Sequence, residues 1–112
     1  VGFTADDIAE ISTDEVRIVS VDFTGKLDAG ELLSGTPTVT AEAGAGLTLT
    51  NKAVNSEAIT VNGSACAIGQ AVQFKADATA ANAGRWAVEI ICGTTEGQTL
   101  YGRVMVRVVD TT

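Results

Sequence analysis

The sequence contains no histidine. That removes the usual general base, the Ser-His and Cys-His nucleophile pairs and every imidazole metal ligand. Cysteine is scarce as well, with Cys66 and Cys92 the two thiols. Without histidine they cannot complete a four-ligand cage, so structural zinc is excluded. They can make one disulfide or none, and in a reducing compartment two small buried thiols are expected. Basic residues number seven against fourteen acidic ones. They are scattered along the chain, so the clustered positive patch that a nucleic acid partner requires is missing. No apolar run approaches the roughly 20 residues of a membrane span, and no charged-then-apolar leader opens the sequence. A chain without nucleic acid, membrane, metal or cofactor partners is the expectation.

Aromatics are thin too, limited to Phe3, Phe23, Phe74, Trp86 and Tyr101. Alanine and valine carry most of the apolar share, so the core must be rich in small and β-branched side chains, which favours strands over helices. The lone proline, Pro37, is expected at a strand start or on an edge, where its missing N–H costs nothing.

What is present fits one domain, since 112 residues suffice for a single core and not for two. Residues 1–14 differ from the rest. Thr4 followed by Ala5, Asp6 and Asp7 reads as a cap for one helical turn ending near Ile11. This piece is an N-terminal arm reaching a neighbouring subunit or a docked helical turn, with Phe3, Ile8 and Ile11 as its anchors. From residue 15 to 112 the signal is period two, broken by Gly, Asn, Ser, Asp and Thr clusters. Strand-like runs cover 16–23, 36–42, 47–50, 57–61, 71–78, 85–92 and 100–109. About seven short strands at that spacing indicate an all-β sandwich. The alanine-rich stretch 76–84 reads as a loop because Asn82 and Gly84 punctuate it.

The segment 85–109 is the most informative. Trp86, Val88, Ile90 and Cys92 alternate with Arg85, Ala87, Glu89 and Ile91. Leu100, Gly102, Val104, Val106 and Val108 alternate likewise with Tyr101, Arg103, Met105 and Arg107. A three-residue turn at Thr95-Glu96-Gly97, with Gly97 left-handed, keeps both faces in register. It sets Glu89 opposite Arg103, Trp86 opposite Val106 and Cys92 opposite Leu100. Trp86 is thereby a core residue rather than a ligand platform.

The stretch VDFTGKLDAGELLSG, residues 21–35, invites a phosphate or calcium reading, and both fail. A P-loop needs a glycine five residues before Gly25 and a hydroxyl after Lys26; Ser20 and Leu27 stand there. An EF-hand counted from Asp22 meets Lys26 at position five, Leu27 at six and Leu33 at twelve, where oxygen ligands, glycine and glutamate are required. A strand end with Phe23 facing the core, then a corner that tucks Leu27 and Leu32 beneath it, is the remaining reading. The adjacent pairs Asp6-Asp7 and Asp14-Glu15 have nothing nearby to separate their pKa values as an acid–base pair requires. Asn62-Gly63-Ser64 fits a glycosylation pattern and also the commonest hairpin turn, and the turn is expected.

Three blocks carry a family likeness. Thr13-Asp14-Glu15-Val16 forms an acidic lead-in to the first strand. Val21-Asp22-Phe23-Thr24 ends a strand in Asp-aromatic-Thr, with Leu27, Gly30 and Leu32 following. Gly84-Arg85-Trp86-Ala87-Val88, the turn Thr94-Thr95-Glu96-Gly97 and Val104-Met105-Val106-Arg107-Val108 close the pattern. In these features the chain resembles the small immunoglobulin-like structural proteins, decoration or fibre type, of tailed bacteriophage virions. It departs from them by Phe23 where tryptophan is common and by the alanine-rich loop before Gly84. The resemblance implies an immunoglobulin-like β-sandwich of about seven antiparallel strands and no catalytic residues. The function it implies is a capsid decoration protein, made in the bacterial host cytoplasm, that binds the outer capsid surface and bridges capsid subunits. Its partners would be the major capsid protein and further copies of itself, a trimer among the options. Phe3, Asp6, Asp7, Ile8 and Ile11 on the arm, with Ile91, Tyr101 and Met105 on an outward sheet face, are the candidate contacts. A tail, neck or fibre-associated module that grips a host-surface ligand is the alternative.

Overall fold

The structure, a computed structural model, describes residues 8–61 and 64–110. These residues form nine strands and one 3-10 turn: β1 (Ile8–Ser12), β2 (Val16–Asp22), the turn (Thr24–Lys26), β3 (Leu33–Ala41), β4 (Thr48–Val54), β5 (Ile59–Val61), β6 (Ser64–Cys66), β7 (Ala71–Asp77), β8 (Gly84–Thr94) and β9 (Thr99–Val109). The fold is an all-β sandwich. One sheet runs β1-β9-β8-β3, the other β2-β7-β4, and β5 with β6 makes a separate hairpin. Setting aside β1 and that hairpin, the division into β2-β7-β4 and β9-β8-β3 is the strand division of an immunoglobulin-type sandwich.

All seven expected runs are strands, and two further strands add to them. The first is β1. Its backbone pairs in parallel with β9, from Ile8 opposite Met105 to Ser12 opposite Val109, so the end of the expected helical turn, Ile8 to Ile11, is instead strand, while its start at residues 4–7 lies outside the described residues. Ile11 is 2% exposed and sits in the chain's own core. The acidic lead-in makes the bend into β2. Ser12 N–H donates to Glu15 Oε1 at 2.7 Å, and Glu15 N–H returns to the Ser12 carbonyl at 2.9 Å. The second addition, β6, pairs with β5 from Ile59 opposite Cys66 to Val61 opposite Ser64. Asn62 and Gly63, the expected turn, lie outside the described residues.

The β8–β9 hairpin has the expected register. Trp86 faces Val106, Glu89 faces Arg103 and Cys92 faces Leu100, and Gly97 is left-handed at φ 80°. Val88, Ile90, Cys92, Val104, Val106 and Val108 point inward and are buried against Val21, Phe23, Val72 and Phe74 of the opposing sheet. Trp86 is half-buried at the rim of this core, its Nε1–H donating to the Asn82 carbonyl at 2.9 Å. Pro37 lies on β3, an edge strand, inside the break in pairing between Ser34 and Thr38. It therefore leaves no donor missing from the ladder.

The corner after β2 is held by carboxylates. Asp22 Oδ1 accepts from Thr24 N–H (2.8 Å) and from its hydroxyl (2.6 Å), which turns the chain into the 3-10 segment. Phe23 is fully buried and Leu27 packs against the core, as expected, but Leu32 is 38% exposed. Its neighbour Leu33 takes the buried place at the start of β3. Glu31 then ties the corner to the far hairpin turn. Its Oε1 accepts from Asp28 N–H (3.0 Å), and its Oε2 accepts from the Thr94 hydroxyl (2.6 Å) and the Gln98 amide (2.8 Å). A second hub, Asn55, fixes the β5–β6 side. Its Oδ1 accepts from Gly69, Gln70 and Ala71 N–H, and its Nδ2 donates to the Glu57 and Ala67 carbonyls.

Candidate contact surface

The outer face of the four-stranded sheet follows from the alternation on β8 and β9. With every second residue committed to the core, the others must project outward. Pairing then sets them in rows across the sheet. Thr38, Ile91 and Tyr101 share one row, and Thr40, Glu89 and Arg103 the next. Ala87 and Met105 follow, in register with Ile8, and then Arg85 and Arg107 with Glu10.

Three of the expected contact residues therefore share this face. Ile91 and Tyr101 are direct cross-strand neighbours, 44% and 46% exposed, and Met105 is half-buried two rows away. The Ile8 backbone pairs in register with Met105. Ile11 does not share this face, because it alternates inward and is buried within this chain; it secures β1 and is not offered to a partner. Phe3, Asp6 and Asp7 lie outside the described residues. What the sequence reading missed is the charged frame. Glu10 joins the face because β1 pairs with β9, a long-range pairing that no local pattern encodes.

Polar contacts organise the face. The Tyr101 hydroxyl donates to Glu89 Oε2 at 2.7 Å, and that bond, with burial and the carboxylate's charge, raises the phenol's pKa. Arg107 bonds Glu10 at 3.3 Å, and Arg103 Nη2 faces the Met105 sulfur at 3.8 Å. Three arginines lie here, while Lys26, Lys52 and Lys75 lie on the corner and the other sheet. Tyrosine, methionine and arginine, residue types enriched at protein interfaces, thus share this face with Glu10 and Glu89.

The thiols and four carboxyls are shifted in opposite directions. Burial pushes the Cys66 thiol up to about 11, and the adjacent Asp22 carboxylate adds to the effect. Burial also raises Cys92, against a weaker contact with the Ser34 carbonyl. Both thiols are free and buried, so neither offers a thiolate nucleophile near neutral pH. Hydrogen bonds hold four carboxyls below their ordinary range: Glu15 by Ser12, Glu31 by Asp28, Thr94 and Gln98, and Asp77 by Thr79. In Asp22 burial works upward, but bonds from Thr24 and Cys66 outweigh it. All four are anions at neutral pH, unsuited to general acid work.

Asp28, Glu31 and Glu96 bring carboxylate oxygens within 4.8 Å of one another. Both Glu31 oxygens are already engaged by donors, so the group serves as a latch for the corner. A groove of about 310 Å³ lies beside Asn51, Gln73 and Lys75 on the other sheet.

No family model matches the chain, and no curated protein matches it. Among solved structures, that of amebosin is similar in fold at 13% identity and a TM-score of 0.49, over 94% of this chain and 90% of that one.

Proposed function

We propose that this chain is a noncatalytic virion structural module, a capsid decoration protein that makes protein contacts through the outer face of its four-stranded sheet. The observation that carries the reading is that face. Ile91 and Tyr101 lie side by side and exposed, framed by Met105 and three arginines, on a rigid sheet whose register is fixed by the core beneath it. Rigid, pre-positioned aromatic and arginine side chains make the strong points of protein interfaces. Decoration multiplies a modest contact over a repeating lattice, so a face of this size suffices where many copies bind. The charge of -7 favours solubility of free copies. The phage assignment itself rests on the resemblance carried by the strand-end, hairpin and lead-in motifs.

The test is cosedimentation of the purified chain with expanded heads, and separately with tails, of the phage that encodes it. Pelleting with heads is the expected result. Pelleting with tails alone would overturn decoration in favour of a tail or fibre-associated role. A truncation for this assay should stop at residue 7, because removing β1 would take Ile11 out of the core.

A further inference from the structure

Charge is distributed unevenly over this molecule. Of seven basic and fourteen acidic residues, three of each lie on or beside the outer sheet face: Arg85, Arg103 and Arg107 with Glu10, Glu42 and Glu89. Among the described residues that leaves four basic and nine acidic residues elsewhere. The remainder of the described surface is net acidic and repels a like copy on average, whereas on this face the described charges balance.

Within the face the balance is not locally satisfied. Arg107 is bonded to Glu10, and Glu89 takes the Tyr101 hydroxyl. Among the described residues, neither Arg85 nor Arg103 has a carboxylate at salt-bridge distance. Arg85 also stands directly across the ladder from Arg107, a like-charge pair that weakens an isolated sheet. A surface carrying equal numbers of both signs, with cations left over at particular points, is self-complementary when it meets its own copy turned by a twofold axis. The same balance disfavours a nucleic acid, which needs surplus positive charge to release counterions.

We propose that this face pairs with the same face of a second copy in a twofold dimer. Ile91 and Tyr101 pack at its centre, and carboxylates of one copy meet Arg85 and Arg103 of the other. The inference rests on the reading of this face as a protein contact surface and adds its occupant. Head binding then depends on the pairing, because a dimer presents two capsid contacts where a monomer presents one, and a variant that loses the pairing loses heads with it.

The experiment is sedimentation equilibrium of the full chain across a wide concentration range, at low and high salt. A species of about twice the 11.4 kDa chain mass is expected, weakening with salt. Arg103→Glu should weaken association by about tenfold or more, and Arg103→Glu combined with Glu89→Arg should restore it, because the swap preserves complementarity between copies. Circular dichroism checks that each variant is folded. A chain that stays at monomer mass throughout, or a dimer indifferent to Arg103→Glu and to Ile91→Glu, overturns the proposal. Head binding is scored separately. Heads bound by a strictly monomeric chain overturn the dimer and leave decoration standing, whereas a dimer that ignores heads supports the pairing and removes decoration.

Discussion

Phe23 and Gly102 fit into each other across the sandwich. A Cβ placed on Gly102 would lie 2.6 Å from Phe23 Cζ, so the ring of one sheet occupies the space the glycine leaves in the other. Because Gly102 continues the inward face of β9, its missing side chain is what lets the two sheets close over Phe23. Gly102→Ala should destabilise the fold by about 1–3 kcal/mol through overpacking. Adding Phe23→Leu should recover part of that loss, giving a coupling that urea unfolding of the two single variants and the double variant will read. Independent, additive effects would show that the two residues are not in contact.

Asn55 is 2% exposed and bonds five backbone groups. Gly69 and Gln70 N–H also reach the Asn55 and Ala67 carbonyls (both 3.2 Å), so Asn55→Ala bears hardest on Ala71 N–H and the Glu57 carbonyl, and unsatisfied buried groups cost about 1–3 kcal/mol each. A loss of about 3 kcal/mol or more is expected in denaturant unfolding. Asn55→Asp should recover only part, since a carboxylate accepts from Gly69, Gln70 and Ala71 but cannot donate to Glu57 and Ala67.

Much of this arrangement was legible in the sequence, and the failures have a common cause. The β8–β9 register could be read because alternation, the Glu89–Arg103 pair and the Gly97 turn all point to one answer. The outward placement of Ile91, Tyr101 and Met105 followed from it. The strand β1 was not legible. It is five residues long, follows an acidic stretch that looks like a helix start, and owes its conformation to a parallel partner almost a hundred residues away. Glu10 on the contact face and Ile11 in the core were missed with it. Three-residue β6 was too short to register. Leu32 was misplaced because it lies just before β3, whose own alternation, with Leu33, Pro37 and Val39 buried, turns Leu33 inward.

Acid should loosen the corner through Glu31. Its folded-state pKa lies below the unfolded one, so the stabilising contribution is complete above the ordinary carboxylate range of about 4.3 and disappears as pH falls through the lower folded value. Thermal unfolding of Glu31→Gln should therefore show a weaker dependence on pH in the acid range than the parent protein, with lower stability at neutral pH. Equal acid sensitivity in both would place the titration on another group.

The thiols should be silent in the native fold. At pH 8 neither Cys66, raised to about 11, nor buried Cys92 should react with a thiol reagent until denaturant is added, when both should react together. Rapid labelling of one thiol in the folded protein would show that its side of the sandwich opens.

The contact face is tested most directly by pelleting expanded heads with the parent chain and with an Ile91→Glu/Tyr101→Glu variant, matched for thermal stability. Both side chains are about half exposed, so the substitutions should leave the core intact. The parent is predicted to sediment with the heads and the variant to stay in the supernatant. A variant that coats heads as fully as the parent would contradict the assignment of this face.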